Sequence, residues 1–178
     1  MQTLTGLDTA ALTSIITSIG QPAYRGKQLA ESIYMHRVRS VDDITTLPVA
    51  LRQTLSETYT IGSCTVTGKQ EAVDGTVKYL LSFGDGEVVE TVFLPYENRT
   101  SICISSQVGC PMGCSFCATG TEGLVRNLTT AEIIDQILIV QALHPETRIS
   151  HVVMMGMGEP LLNLPNVVAA LTLMSNEM

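Results

Sequence analysis

Tryptophan is absent from this 178-residue chain, and five tyrosines with three phenylalanines are all its aromatic residues. So few rings give no aromatic platform on which nucleic-acid bases could stack. No stretch reaches the length of a membrane span, about 18 apolar residues, so no membrane partner is expected. The N-terminus lacks the basic start and continuous apolar run of a secretory signal, and a cytoplasmic location follows as the expectation. Positive charge is also short. Ten Lys and Arg face seventeen Asp and Glu, a net charge of −7, which is wrong for a chain that coats nucleic acid. The shortage is uneven. Residues 1–56 hold Arg25, Lys27, Arg37, Arg39 and Arg52 against Asp8, Glu31, Asp42 and Asp43, a surplus of one, which leaves −8 for the remainder. Apolar residues are plentiful at 45%, enough for a packed core and too many for disorder.

The first third reads as three short helices. Leu12, Ile15, Ile16 and Ile19 share one face of a helix over 9–19, with Asp8 or Thr9 as its cap and Gly20 and Pro22 at its end. A second runs from about Tyr24 to His36, with Leu29, Ala30, Ile33 and Tyr34 inward and Arg25, Lys27, Arg37 and Arg39 on its flanks. Those basic residues are either a solvated face or an RNA-backbone contact. A third begins near Pro48 and carries Leu51 and Leu55. From about Ile61 the period changes to two. Thr76–Phe83 and Glu87–Leu94 read as strands joined by Gly84-Asp85-Gly86, with Pro95 ending the pair. Glu90 lies mid-strand, where a carboxylate usually faces water.

Thr100–Val108 reads as a further strand, with Cys103 in it, and it feeds Cys110-Pro111-Met112-Gly113-Cys114-Ser115-Phe116-Cys117. A lone strand cysteine is usually a small buried hydrophobe. Three cysteines in eight residues are different, because a short loop can turn three thiolates to one point. Soft thiolates at one point bind iron–sulfur clusters, zinc or Cu(I). A structural zinc takes four ligands, for which Cys103, Cys64 or a histidine would be recruited. Three thiolates alone suit a 4Fe–4S cluster with one iron open to a ligand. Five cysteines in a cytosolic chain point to metal or redox chemistry before disulfides. The C-x3-C-x2-C spacing, with Phe116 before the last cysteine, resembles the radical S-adenosylmethionine (SAM) superfamily.

Beyond Gly120-Thr121-Glu122-Gly123, a capping-box pair, Thr129 and Glu132, starts a helix that buries Ile133, Ile134, Ile137 and Leu138 and stops at His144-Pro145. His151–Met155 reads as a buried strand, Gly156-Met157-Gly158-Glu159-Pro160 as the loop after it, and a last helix starts near Asn163. Strand, loop, helix, repeated, is the beginning of a parallel α/β barrel, whose ligands gather at the C-terminal ends of its strands. Glycines in the second loop allow a close backbone approach, and Glu159 offers a negative charge to the ammonium of SAM.

Four runs make the resemblance specific: Ser105-Ser106-Gln107-Val108-Gly109-Cys110, Cys114-Ser115-Phe116-Cys117-Ala118-Thr119-Gly120, Arg126-Asn127-Leu128, and Met154-Met155-Gly156-Met157-Gly158-Glu159-Pro160-Leu161-Leu162-Asn163. They are similar to those of the RlmN/Cfr methyltransferases. Tyr24-Arg25-Gly26-Lys27-Gln28-Leu29 and Leu47-Pro48 resemble that family's N-terminal helical module. The resemblance implies a helical accessory module over 1–60, a β-hairpin extension over 61–95, and the first part of a radical SAM barrel over 96–178. It implies a 4Fe–4S cluster on Cys110, Cys114 and Cys117, and SAM bound by Gly158 and Glu159. It makes Glu90 the proton acceptor and Cys103 the thiol that resolves a protein–RNA adduct by forming a disulfide. It implies methylation of an adenine ring carbon in 23S rRNA, and in tRNA for the RlmN branch, through a methylated cysteine and with a reducing electron donor. The family's methyl-carrying cysteine lies far downstream, so the chain to Met178 looks like the N-terminal half of such an enzyme. Cys64 is in the wrong region for that role.

Overall fold

The computed structural model describes residues 1–121 and 123–178; Glu122, in the loop after the cysteines, lies outside them. At the N-terminus, β1 (Gln2–Thr3) leads into α1 (Thr9–Ser18), α2 (Tyr24–Tyr34) and α3 (Val49–Ser56), and β2 (Tyr59–Thr60) returns parallel to β1. Asp8 caps α1 by accepting from Ala11 N at 2.7 Å. Leu12 and Ile16 are fully buried, as their spacing predicts, and Ile15 and Ile19 pack partly buried against the same core. Gly26 is where α1 and α2 touch, since an added Cβ would lie 2.2 Å from Thr13 Oγ1. The α2 helix stops two residues short of the expected His36. Arg37 follows it in the left-handed region, at φ 57°, a conformation that turns the chain out of a helix.

The sheet is larger than the predicted hairpin. It runs β3 (Cys64–Glu71), β4 (Val77–Phe83), β5 (Val88–Tyr96) and β6 (Arg99–Cys103), antiparallel in sequence. No apolar alternation marks β3, which is exposed at nearly every position, so its partners and not its own side chains define it. Pro95 does not end the hairpin. It lies inside β5 opposite Thr100 of β6.

The expected strand over Thr100–Val108 is two strands. After β6 the chain breaks at Ile104–Ser106. It resumes as β7 (Gln107–Gly109), which pairs with β8 (Leu124–Asn127) to clip the base of the cysteine loop. The 14-residue helix α4 (Thr130–Leu143) begins with the predicted capping box. It is followed by β9 (His151–Val153), which joins the sheet parallel to β6, and by α5 (Leu164–Glu177). The expected buried strand at His151 is exposed at His151 and Val152. Among the described residues it pairs with β6 alone, at the sheet's edge.

One sheet face builds the core. Val77, Tyr79, Leu81, Val89, Phe93 and Ile102 are buried with Ile133, Ile134, Ile137 and Leu138 of α4 in a common cluster. Each such side chain contributes about 1.5–3 kcal/mol when fully buried. The alternate residues, among them Lys78, Glu90, Val92 and Cys103, face the other way and are only partly covered.

Candidate functional site

Strand register brings Glu90 and Cys103 to one face. Val92 stands opposite Cys103, and side chains opposite each other share a face. Glu90 is two residues before Val92, so it projects from the same face. Its Oε1 accepts from Lys78 Nζ at 2.8 Å, in a pair whose side chains are 45% and 38% exposed. The Cys103 thiol is half-buried. Burial pushes it above the ordinary cysteine range, and a hydrogen bond from Met155 N–H pulls it partway back. Cys103 therefore holds its proton near neutrality, and it ionises only when a base or a ligand changes its surroundings.

The cysteine loop leaves the C-terminal end of β7. Gly109, at φ 72°, leaves no room for a Cβ, which would sit 2.0 Å from Gly123 O. Cys110 N donates to that same carbonyl at 2.9 Å. Within the loop Cys117 N donates to Cys114 O at 3.0 Å. The Gly120 N–H holds the Cys117 thiol below the usual cysteine range, with help from Thr119, and a thiol biased to thiolate is what a soft metal needs. Cys110 is buried, Cys117 intermediate and Cys114 exposed, and all five cysteines are free. The disulfide that the resemblance implies is therefore not formed within this chain. Among the described residues no three His, Cys, Asp or Glu side chains are gathered as metal ligands. The fit of a cluster rests on donor chemistry: three thiols on one short loop, one of them lowered from the ordinary cysteine range by backbone N–H groups.

The Gly-Met-Gly-Glu-Pro loop follows β9, and because β9 is parallel to β6 it opens at the same end of the sheet. The close approach that its glycines permit is to this chain itself. A Cβ on Gly156 would meet Ser105 Oγ at 2.7 Å, and one on Gly158, at φ 98°, would meet Gln107 N at 2.7 Å. Glu159 N donates to Gln107 Oε1 at 2.8 Å. The Glu159 carboxylate accepts from Leu161 N at 3.1 Å, capping the 3-10 turn Pro160–Asn163.

Sequence reasoning missed the hub between these parts. Ser105 Oγ donates to Glu90 O at 2.7 Å and accepts from Met157 N at 2.9 Å. Gln136, buried on α4, brackets Ser105, with Oε1 accepting from Ser105 N and Nε2 donating to Ser105 O. The same Oε1 accepts from Thr91 Oγ1 at 2.9 Å. Asn163 Nδ2 donates to the carbonyls of Ser106 and Leu128. Strand β5, the base of the cysteine loop and the glycine loop are thus fastened at Ser105–Gln107. The polar Ser-Ser-Gln run in an otherwise apolar strand was its one sequence signal.

The N-terminal basic residues divide. Arg39 reaches across to Asp135, which is fully buried on α4, with a bidentate pair, and also donates to Cys64 O at 3.0 Å. Asp135 Oδ2 further accepts from Ser63 N at 2.7 Å, Cys64 N at 2.9 Å and Cys64 Sγ at 3.1 Å. Arg39 is therefore a fastening between the helical module and the sheet. Lys27 lies exposed beside Glu31, and Arg25 sits over the Tyr24 ring.

Residues 104–177 match the Radical SAM superfamily, and residues 2–61 match the ribosomal RNA large subunit methyltransferase N-terminal domain. Glu90 and Cys103 fall between those spans. The chain is 50% identical over 175 residues to a probable dual-specificity RNA methyltransferase RlmN of Trichormus variabilis, covering 98% of this chain and 49% of that protein. It is 50% identical over 163 residues to the protein of the same description in Gloeobacter violaceus, covering 92% and 46%. Among solved structures, a radical SAM methyltransferase from Sphaerobacter thermophilus superposes with a TM-score of 0.94 at 36% identity, over 99% of this chain and 53% of that one. The chain spans about half the length of the curated relatives it matches.

Proposed function

We propose that this chain is of the RlmN type of radical SAM protein, and that in the intact enzyme it serves methylation of adenine carbon 2 in 23S rRNA and in tRNA. The observation that carries the reading is the sheet face shared by Glu90 and Cys103, at the end of the sheet where the Gly-Met-Gly-Glu-Pro loop opens after β9. When bound, a 4Fe–4S cluster and SAM supply the methyl group and the radical chemistry. The chain's own residues hold and finish. Cys110, Cys114 and Cys117 would hold the cluster, and the loop with Gly158 and Glu159 would receive SAM, whose ammonium group the Glu159 charge would attract.

Glu90 takes the ring proton from the RNA adduct, and a placed base of this kind contributes about two to four decades in rate. Cys103, once deprotonated, attacks the sulfur of the methyl-carrying cysteine, which the family places beyond Met178. A sulfur–sulfur bond forms, the sulfur–carbon bond breaks, and its electron pair takes up a proton, such as the one Glu90 has removed, so that the carbon leaves with the RNA as a methyl group. A reducing donor is needed to return the disulfide to thiols and to supply electrons for SAM cleavage. The work is done in the cytoplasm, where both RNAs and reductant are found. Among the described residues no helix is long and apolar enough to cross a membrane.

The test is anaerobic turnover of the intact, reconstituted enzyme on a 23S rRNA fragment and on tRNA, with nucleoside mass spectrometry. The expected product is 2-methyladenosine from both RNAs. 8-Methyladenosine would move the protein to the Cfr branch, and no methylation at all would leave a metal- or RNA-binding module without this activity.

A further inference from the structure

Glu90 is held by one side chain, Lys78, and the geometry gives that lysine a place in the reaction. Lys78 of β4 stands opposite Val92 of β5, Val92 opposite Cys103 of β6, and Cys103 beside Val153 of β9. These four residues form one row across the open face of the sheet. Glu90 lies one step off the row, opposite Leu80. Lys78 reaches diagonally to its Oε1 at 2.8 Å. Among the described residues no other group hydrogen-bonds that carboxylate. The pair borders a cavity of about 300 Å³, with Gly68 and Gln70 on its far wall.

A half-exposed ion pair adds little to stability, so holding the fold together does not explain it. What an ammonium does here is geometric. It fixes one carboxylate oxygen by a charge-assisted bond and leaves the second available. Without it, Glu90 is a solvated side chain with three rotatable bonds on an open sheet face.

We propose that Lys78 is the positioning residue for Glu90, holding its carboxylate turned along the face that carries Cys103. The inference rests on the reading of Glu90 as the base. In the step concerned, the carbon–hydrogen bond of the adducted adenine breaks, the proton passes to the Glu90 carboxylate, and the electron pair stays in the ring. Lys78 touches neither the ring nor the proton. It acts through Glu90, and misplacing a reacting group by about 1 Å can cost about 100-fold in rate.

The experiment compares Lys78→Met, Lys78→Arg and Glu90→Gln in the intact enzyme. Covalent protein–RNA adduct is read on denaturing gels and by mass spectrometry, with RNA affinity and RNA-free SAM cleavage measured alongside. Lys78→Met should slow adduct release by ten- to 100-fold and let adduct accumulate, with SAM cleavage and RNA affinity unchanged. Lys78→Arg, which keeps a cation in reach, should recover most of the release rate. A second readout needs no cluster. Amine labelling of Lys78 in the cluster-free enzyme should be slower than that of the exposed Lys27 and should rise in Glu90→Gln.

If Glu90→Gln releases RNA normally, the Glu90 reading itself fails and this proposal falls with it. If Glu90→Gln stalls while Lys78→Met releases normally, the base stands and the role of Lys78 is overturned. If Lys78→Met weakens RNA binding without accumulating adduct, Lys78 is a phosphate contact, and the positioning role is equally overturned.

Discussion

At the scale of single residues, two thiols are held against ionisation and the consequences differ. Cys103 is half-buried and its thiol is raised by that burial. Its reactivity toward iodoacetamide should therefore climb with pH only beyond the ordinary cysteine value, about 8.5, whereas an inflection at or below that value would mean a more exposed thiol. Cys64 is raised further, first by burial and then by the Asp135 carboxylate to which its Sγ donates. The folded state accepts it only protonated, so its contribution is complete below the unfolded cysteine value and is lost as pH rises above it. The slope approaches about 1.4 kcal/mol per pH unit. Urea denaturation from pH 8 to 10 should show that loss, and Cys64→Ser, which keeps a donor and does not titrate there, should flatten it. An unchanged slope in Cys64→Ser would place the alkaline loss elsewhere. Gly158 combines φ 98° with a Cβ position blocked by Gln107 N at 2.7 Å. Gly158→Ala should lower stability by about 1–3 kcal/mol, even in protein that has never seen SAM.

Between elements, the fastening that decides the arrangement is Arg39 to Asp135. It joins the connector after α2 to α4 across 96 residues of sequence, and Asp135 is wholly buried while Arg39 is 31% exposed. Removing one partner of such a pair leaves a buried charge uncompensated and costs about 3–5 kcal/mol. Arg39→Met should lose about that much in denaturant titration, while Lys27→Met, at an exposed pair, should stay within about 0.5 kcal/mol. Equal effects would mean that Asp135 is satisfied by Ser63 and Cys64 alone.

This long-range pair also marks the limit of what the sequence disclosed. α1, α4 and the β4–β5 hairpin were legible because apolar spacing, the Asp8 cap and the Thr129–Glu132 box are local signals. The cysteine loop was legible from its spacing. The break between β6 and β7 was not, because it is made by Gln136 and by the Met157 loop, which take the hydrogen bonds of Ser105 and Ser106. The same holds for β3, whose polar exposed residues carry no period of their own. Arg39, grouped by sequence with Arg25, Lys27 and Arg37, turns out to be occupied with Asp135.

For the whole molecule, the proposed action on RNA would require the few cations of an acidic chain to lie where phosphates pass. With Arg39 committed to the fold, the candidate RNA contacts of the N-terminal module reduce to Arg25, Lys27 and Arg37. Replacing these three together in the intact enzyme should weaken RNA binding and lower the salt slope by up to about 0.7 per lost phosphate contact, with SAM cleavage unaltered. An unaltered slope would make the helical module a structural cover. Anaerobic reconstitution should give a thiolate-held iron–sulfur cluster with its broad charge-transfer absorption, abolished by Ala at Cys110, Cys114 or Cys117. Stoichiometric zinc under the same conditions would contradict it.

One sheet face carries both Glu90 and Cys103, the proposed base and the proposed resolving thiol. The measurement that tests it most directly is denaturing electrophoresis with mass spectrometry of the intact Cys103→Ala enzyme after turnover on 23S rRNA. The account predicts enzyme covalently trapped on the RNA, with its cluster content unchanged. Normal turnover with no trapped species would return Cys103 to a buried strand cysteine and contradict the account.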